Sequence, residues 1–251
     1  MIRRIAAVCL AFAVLAAEMP AQQTTLPMPK ISLEVGKATK PEDVSVTLQI
    51  LFLMTILSLA PALLILTTAF TRIIIVLHFL KQAMGTPQMP PPQVLLGLAM
   101  FLTFFVMAPV WNKVNTEALQ PYLQSKMTMN DAYDKAVVPL REFMFKQTRE
   151  EDLALFVKMA NLEKPKNRSE IPIHVLIPAF AISELRIGFQ IGLVLFVPFL
   201  IIDMVVASIL MSMGMMMLPP AMISMPFKIL LFILVDGWHL VIGSLIASFH
   251  N

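Results

Sequence analysis

The chain has 251 residues, 58% hydrophobic and 14% charged, and a mean hydropathy of +0.78. A water-soluble domain carries about 25% charged residues, so too little polar surface is available to coat a soluble globule. The net charge of +3 and the pI near 9.1 do not indicate a nucleic-acid binder, because the basic residues are not gathered with aromatics into a stripe.

The natural solvent for such a chain is a bilayer, where backbone groups must be satisfied inside helices or closed barrels. Its long apolar runs favour an all-α membrane protein. Met1, Ile2, Arg3 and Arg4 precede an apolar stretch from Ile5 to Ala17, the charged head and short core of a secretory signal. Residues 1–21 are therefore predicted to be a signal peptide cleaved after Ala16 or Ala21. An uncleaved N-terminal anchor is the alternative. Cys9, the one cysteine, lies inside this segment, so the mature chain is expected to have neither disulfide nor thiol chemistry. Residues 22–43, with Pro27, Pro29 and Pro41 among Gln, Thr and Lys, read as a flexible exported arm.

A first membrane hairpin is predicted over 44–111. Val44 to Leu66 is almost wholly apolar, and Pro61 predicts a kink near Leu57 to Pro61 because it removes a backbone donor and clashes with the preceding turn. A second apolar stretch runs from Thr67 to Leu80 and contains Arg72 and His78. Pro87, Pro90, Pro91 and Pro92 then form a stiff turn, and an apolar helix follows from Val94 to Trp111, with the indole at its interfacial end.

Residues 112–172 hold most of the charges of both signs and are predicted to form a small helical domain outside the membrane. One helix is expected from about Asn130 to Gln147, bent near Pro139. A second is expected after a capping-box pattern at Thr148 and Glu151, with Leu153, Phe156, Val157 and Ala160 on one face. A second membrane hairpin over 173–251 contains apolar stretches at Ile187–Leu210 and Ile229–Phe249. Four nominal spans with an exported N-terminus place 112–172 and the C-terminal end outside and the two short connections inside. Arg72 and Lys81 agree with the positive-inside tendency.

The connection between the last two stretches runs from Met211 to Met225 and includes Met213, Gly214, Met215, Met216, Met217, Pro219 and Pro220. No charge occurs between Asp203 and Lys228. Loops normally expose backbone to water and are polar; this one is apolar, and its prolines stop the helix. Methionine is unbranched and soft, and it repacks around different shapes at small cost. Three successive residues on a helix point about 100° apart and cannot share one core. Met215, Met216 and Met217 could all be used by an annulus built from several subunits, with Met211 and Met213 as accessory gate-lining candidates. Hydrophobic constrictions of this kind block water and ions while remaining openable. Ordinary gap-filling in a membrane core is the competing explanation.

Asp203 and Asp236 lie in apolar segments, where ionisable groups face a partner or a watery cavity. They are candidates for a proton-coupled or gating carboxylate or for a structural pair, with Arg72, Glu184 and Arg186 as possible partners. Gly188 and Gly192 make a small-xxx-small spacing that permits close helix approach. Neither a phosphate-cradling Gly-rich loop, nor paired histidines at helical spacing, nor a serine elbow occurs. His78, His174, His239 and His250 are scattered, so no catalytic residue, cofactor or metal is expected. A secondary transporter for a small solute is the alternative suggested by broken helices and membrane carboxylates.

Several long stretches closely resemble the FliP family and its virulence type III secretion counterparts: LSLAPALLILTTAFTRIIIVLHFLKQAMGTPQMPP at 57–91, QVLLGLAMFLTFFVMAPVW at 93–111, IPIHVLIPAFAISELR at 171–186, FLIIDMVVASILMSMGMMMLPP at 199–220 and PFKILLFILVDGWHL at 226–240. The resemblance implies a pentamer of FliP copies joined by FliQ and FliR. Together they would form the channel through which unfolded flagellar subunits leave the cytoplasm, with FlhA and FlhB completing the apparatus. It implies a place in the bacterial inner membrane, at the flagellar basal body, with 112–172 in the periplasm. It also implies tilted hairpins in a helical shell raised partly out of the bilayer plane. The family's methionine gasket falls on Met215, Met216 and Met217.

Overall fold

A computed structural model describes residues 41–86, 89–162, 167–215 and 217–250. The predicted signal peptide, Cys9 and nearly all of the predicted arm lie outside them, as does Met216. The chain divides into two compact units, residues 1–51 and 52–251. The first is described only at 41–51, where helix α1 (Pro41–Leu66) begins. All regular structure among the described residues is helical.

Helix α1 continues through Pro61 to Leu66, and the chain is interrupted at Thr67–Ala69 instead. Its side chains from Phe52 to Leu66 are almost all exposed. Helix α2 (Phe70–Met84) is the centre of the main unit. Its buried residues Ile73, Val76, Leu77, Leu80, Ala83 and Met84 recur at helical spacing and join Leu95, Ala99, Leu102, Val106 and Met107 of α3 (Pro92–Val114) in one core. The helical path of α3 continues through a π-helical segment at Asn115–Leu119 into α4 (Gln120–Leu123).

Helices α5 (Met129–Gln147) and α6 (Glu150–Met159) lie in the charged region. The predicted capping box at Thr148 and Glu151 is not formed. Thr148 instead ends α5, its hydroxyl donating to the Met144 carbonyl, and Glu151 pairs with Arg149 and Arg186. The capping pattern is found at Thr128, whose hydroxyl oxygen accepts the Asp131 N–H at 3.2 Å and donates to the Asp131 carboxylate. Helix α6 is tied down by Ser183, whose Oγ accepts the Arg149 N–H and donates to buried Asp152.

Helix α7 (Ile173–Ser212) runs 40 residues without interruption, about 60 Å at 1.5 Å per residue and twice the hydrocarbon thickness of about 30 Å. Its first turns, including Leu176 and Phe180, pack with Met144 of α5. Farther along it meets α2 at close range. A Cβ at Gly188 would lie 3.2 Å from Ile75, and one at Gly192 would lie 2.5 Å from the Phe79 ring. The two glycines sit four apart on α7 and the two side chains four apart on α2, so the predicted small-xxx-small face is the α2–α7 contact. Gly192→Ala is expected to cost ~1–3 kcal/mol through overpacking, read as a lower melting temperature of the purified chain in detergent, with Phe79→Ala partly restoring it. Equal melting temperatures for Gly192→Ala and the parent would contradict this contact.

The predicted stretch Ile229–Phe249 is two helices, α8 (Pro220–Leu234) and α9 (Gly237–Ala247), bent by 66°. Phe232 supplies the reason for glycine at 237, because any Cβ there would strike its ring. Among the described residues, three helical stretches are long and apolar enough to cross a membrane, Leu48–Leu66, Pro92–Leu123 and Ile173–Ser212, and the bent α8–α9 pair makes a fourth if it is one broken span. Exposed Phe101, Phe104, Leu193, Val194, Ile201 and Leu234 call for lipid or neighbouring chains rather than water.

Candidate functional site: the methionine turn and its buried ion pairs

The turn between α7 and α8 is defined by backbone chemistry at both ends. Gly214 has φ +75°, and its N–H donates to Met211 O at 3.0 Å while Met215 N–H donates to Leu210 O at 2.9 Å. This pair of bonds closes the last carbonyls of α7 in a Schellman motif. The left-handed conformation suits glycine, which has no Cβ to clash. Pro220 then opens α8 at its first turn, where a missing N–H costs nothing. The prolines thus start α8, whereas α7 has already ended at Ser212 through Gly214, ahead of the prolines that the sequence predicts as its stop.

Met211, Met213, Met215 and Met217 are all exposed, Met217 to 99%. The turn thus presents apolar side chains that its own subunit leaves partly to fully uncovered.

One ion pair stands behind the turn. The Lys228 ammonium donates to Asp203 Oδ2 at 2.6 Å, with the two side chains 4% and 30% exposed, and Ser224 Oγ donates to the same carboxylate. Ser224 and Lys228 are one helical repeat apart on α8, so both reach Asp203 on α7. Gly85, in the left-handed conformation at the C-cap of α2, lies beside the same ammonium, since a Cβ there would be 3.6 Å from Nζ. A helix C-terminus carries negative partial charge, so Lys228 has a carboxylate on one side and a helix end on the other.

The second buried pair lies in the α2 core. Arg72 is 1% and Glu184 0% exposed. The guanidinium has five N–H donors, and every one is used: Nε and Nη2 hold the two Glu184 oxygens, Nη2 also reaches Gln147 Oε1 at 2.9 Å, and Nη1 donates to the Ser248 carbonyl at 2.9 Å and its hydroxyl at 3.1 Å. The Phe249 ring lies 4.0 Å from the guanidinium carbon, a cation–π contact. Gln147 Nε2 donates to the Phe249 carbonyl at 2.9 Å. Arg72 therefore joins α2, α5, α7 and the end of α9, and all buried side-chain nitrogens and oxygens among the described residues have partners.

The predicted ionisable residues thus separate into different arrangements. Arg72 and Glu184 pair with each other and not with either aspartate. Arg186 bridges Glu151 and Asp152 of α6 at 3.3 and 3.7 Å. Asp203 takes Lys228 and Ser224, which sequence reasoning missed although a lone lysine in an apolar helix is a signal that an acid is near. Asp236 is exposed and occupies the bend, with φ +49°, a conformation that aspartate tolerates better than most residues. Its carbonyl accepts the Leu240 N–H. No group of three His, Cys, Asp or Glu residues able to hold a metal occurs among the described residues.

Comparison with known proteins covers nearly the same span. The model of the FliP family matches residues 53–245. The flagellar biosynthetic protein FliP of Bacillus subtilis is 57% identical over 217 residues, 86% of this chain and 98% of that protein. The protein of the same name from Pectobacterium carotovorum is 55% identical over 82% of this chain and 80% of its own length. That from Caulobacter vibrioides is 47% identical over 100% of this chain and 92% of its own length. With the family match covering the core, both ion pairs and the methionine turn, the chain belongs to the FliP family.

Proposed function

We propose that this chain is a subunit of the flagellar type III protein export gate and forms, with other copies of itself, a channel for unfolded flagellar proteins that a methionine collar seals. As a FliP-family chain with apolar helices of spanning length, it is a membrane-associated component of flagellar biosynthesis that works with other flagellar export proteins. The collar reading goes further, and one observation carries it. In a charge-free segment from 204 to 227, the described methionines of the turn, Met211, Met213, Met215 and Met217, are exposed, Met217 to 99%. Five copies brought together would cover those side chains, and soft thioethers would close around water yet yield to polypeptides of different shape.

In this arrangement FliQ and FliR join the ring and FlhA and FlhB stand with it in the inner membrane at the flagellar basal body. Residues 112–172 form the periplasmic domain between the hairpins at 44–111 and 173–251. The 40-residue α7 suits a shell that rises out of the bilayer better than a set of upright spans. Engagement of Asp203 by Lys228 and Ser224 argues against an open midplane site for a small solute.

The test is a triple substitution, Met215→Ala, Met216→Ala and Met217→Ala, in cells carrying the complete export apparatus. Potassium efflux is expected to rise while export of flagellar subunits continues in part. Membrane permeability equal to that of the parent would sink the collar.

A further inference from the structure

Among the described methionines, Met107 and Met144 are buried in the core. In the turn, four described ones are exposed within seven residues, Met211, Met213, Met215 and Met217. Nothing polar offers itself to them: the segment 204–227 has no charge, and Ser212, the polar side chain among them, donates to the Ile209 carbonyl. A thioether is the most readily oxidised apolar side chain, and its sulfoxide is polar, chiral and a strong hydrogen-bond acceptor. The cluster therefore combines exposed sulfur with neighbouring side chains that offer the oxidised product no charged partner.

We propose that the methionine turn is a site of reversible oxidation by hydroperoxides, and that sulfoxide formation there wets the seal and opens it to ions. The step is a two-electron oxygen transfer. The thioether lone pair attacks the distal oxygen of the hydroperoxide, the O–O bond breaks, the new S–O bond forms, and the proton passes to the departing oxygen to give water or an alcohol. Reduction by methionine sulfoxide reductase returns the thioether. Closure of an apolar constriction depends on exclusion of water, and a ring of sulfoxide oxygens gives water acceptors inside it. This inference rests on the collar reading for its consequence and for access, since in the assembled collar hydroperoxide reaches these thioethers where they face the channel.

The experiment uses membrane vesicles containing the chain assembled with its export partners, exposed to hydrogen peroxide. Peptide mass spectrometry and potassium efflux are followed together. Sulfoxide in the peptide spanning 204–227 is expected at least ~10-fold faster than at Met107 and Met144, given the difference in access. Efflux should rise with it, fall again on treatment with methionine sulfoxide reductases A and B, and show no response to peroxide when Met211, Met213, Met215, Met216 and Met217 are all leucine. Oxidation of the turn no faster than of the buried methionines overturns the proposal. So does an oxidised turn with unchanged efflux while the alanine triple variant leaks, and in that case the collar survives. If neither peroxide nor alanine changes efflux, the proposal and the collar reading fall together.

Discussion

Arg72→Ala is expected to cost about 3–5 kcal/mol, because it leaves Glu184 buried without its counter-charge. The loss extends beyond one bond. Gln147 Oε1, the Ser248 carbonyl and the Ser248 hydroxyl lose the same donor, and the Phe249 ring loses the cation above it. Arg72→Lys should also be damaging, since an ammonium has three donors in place of five and cannot grip both Glu184 oxygens as a planar fork. The pairing of charges, more than their presence, sets the cost, so the double variant Arg72→Met/Glu184→Leu should be closer to the parent than Arg72→Met alone. Thermal unfolding of the full chain in detergent, followed by helical circular dichroism and by abundance in membranes, measures this order. An Arg72→Ala chain that accumulates and melts like the parent would contradict the assigned network.

Much of this fold was legible in the sequence because the bilayer leaves few options. Apolar runs near 44–66, 94–111 and 187–210 announced helices, and the prolines at 219 and 220 announced the turn. The boundaries were harder to read. Helix α7 begins at Ile173, well before its apolar stretch, because Ser183 and Glu184 point to partners on α6 and α2 rather than to lipid. Hydropathy marks such residues as the end of a span, whereas hydrogen bonding makes them part of the helix. The reverse holds at Ile229–Phe249, where hydropathy is continuous and the helix is not. The break is set by the left-handed Asp236 and by Phe232 filling the space over Gly237, and neither alters the apolar count.

The site shows the same division. The methionines were conspicuous as residues, and the prolines placed them at a change of direction, whereas the part of Gly214 in ending α7 was not read. Partners of the charged side chains could not be read, because Arg72 meets Glu184 112 positions away and Ser248 176 positions away. The false capping box at Thr148 has a local cause. Thr148 bonds back to Met144, a competing use of the hydroxyl common where one helix ends just before the next begins.

The ion pair behind the turn gives the second large expectation. Lys228 is almost fully buried, so Asp203→Leu would leave its ammonium with only the partial charge of the α2 C-terminus, at a cost of about 3–5 kcal/mol for breaking a buried pair. Lys228→Met would strand the carboxylate less severely, because Asp203 is 30% exposed and retains Ser224. The double variant Asp203→Leu/Lys228→Met removes both charges and should recover most of the stability lost by Asp203→Leu. Asp203 and Lys228 flank the charge-free segment and tie α7 to α8, so losing one charge should loosen the hairpin that presents Met211 to Met217. Potassium efflux is therefore expected to rise in Asp203→Leu and to return toward the parent level in the double variant, with melting temperatures in the same order. If efflux and melting temperature both follow simple addition of the two single effects, Asp203 and Lys228 do not act as a pair and the turn is held by something else.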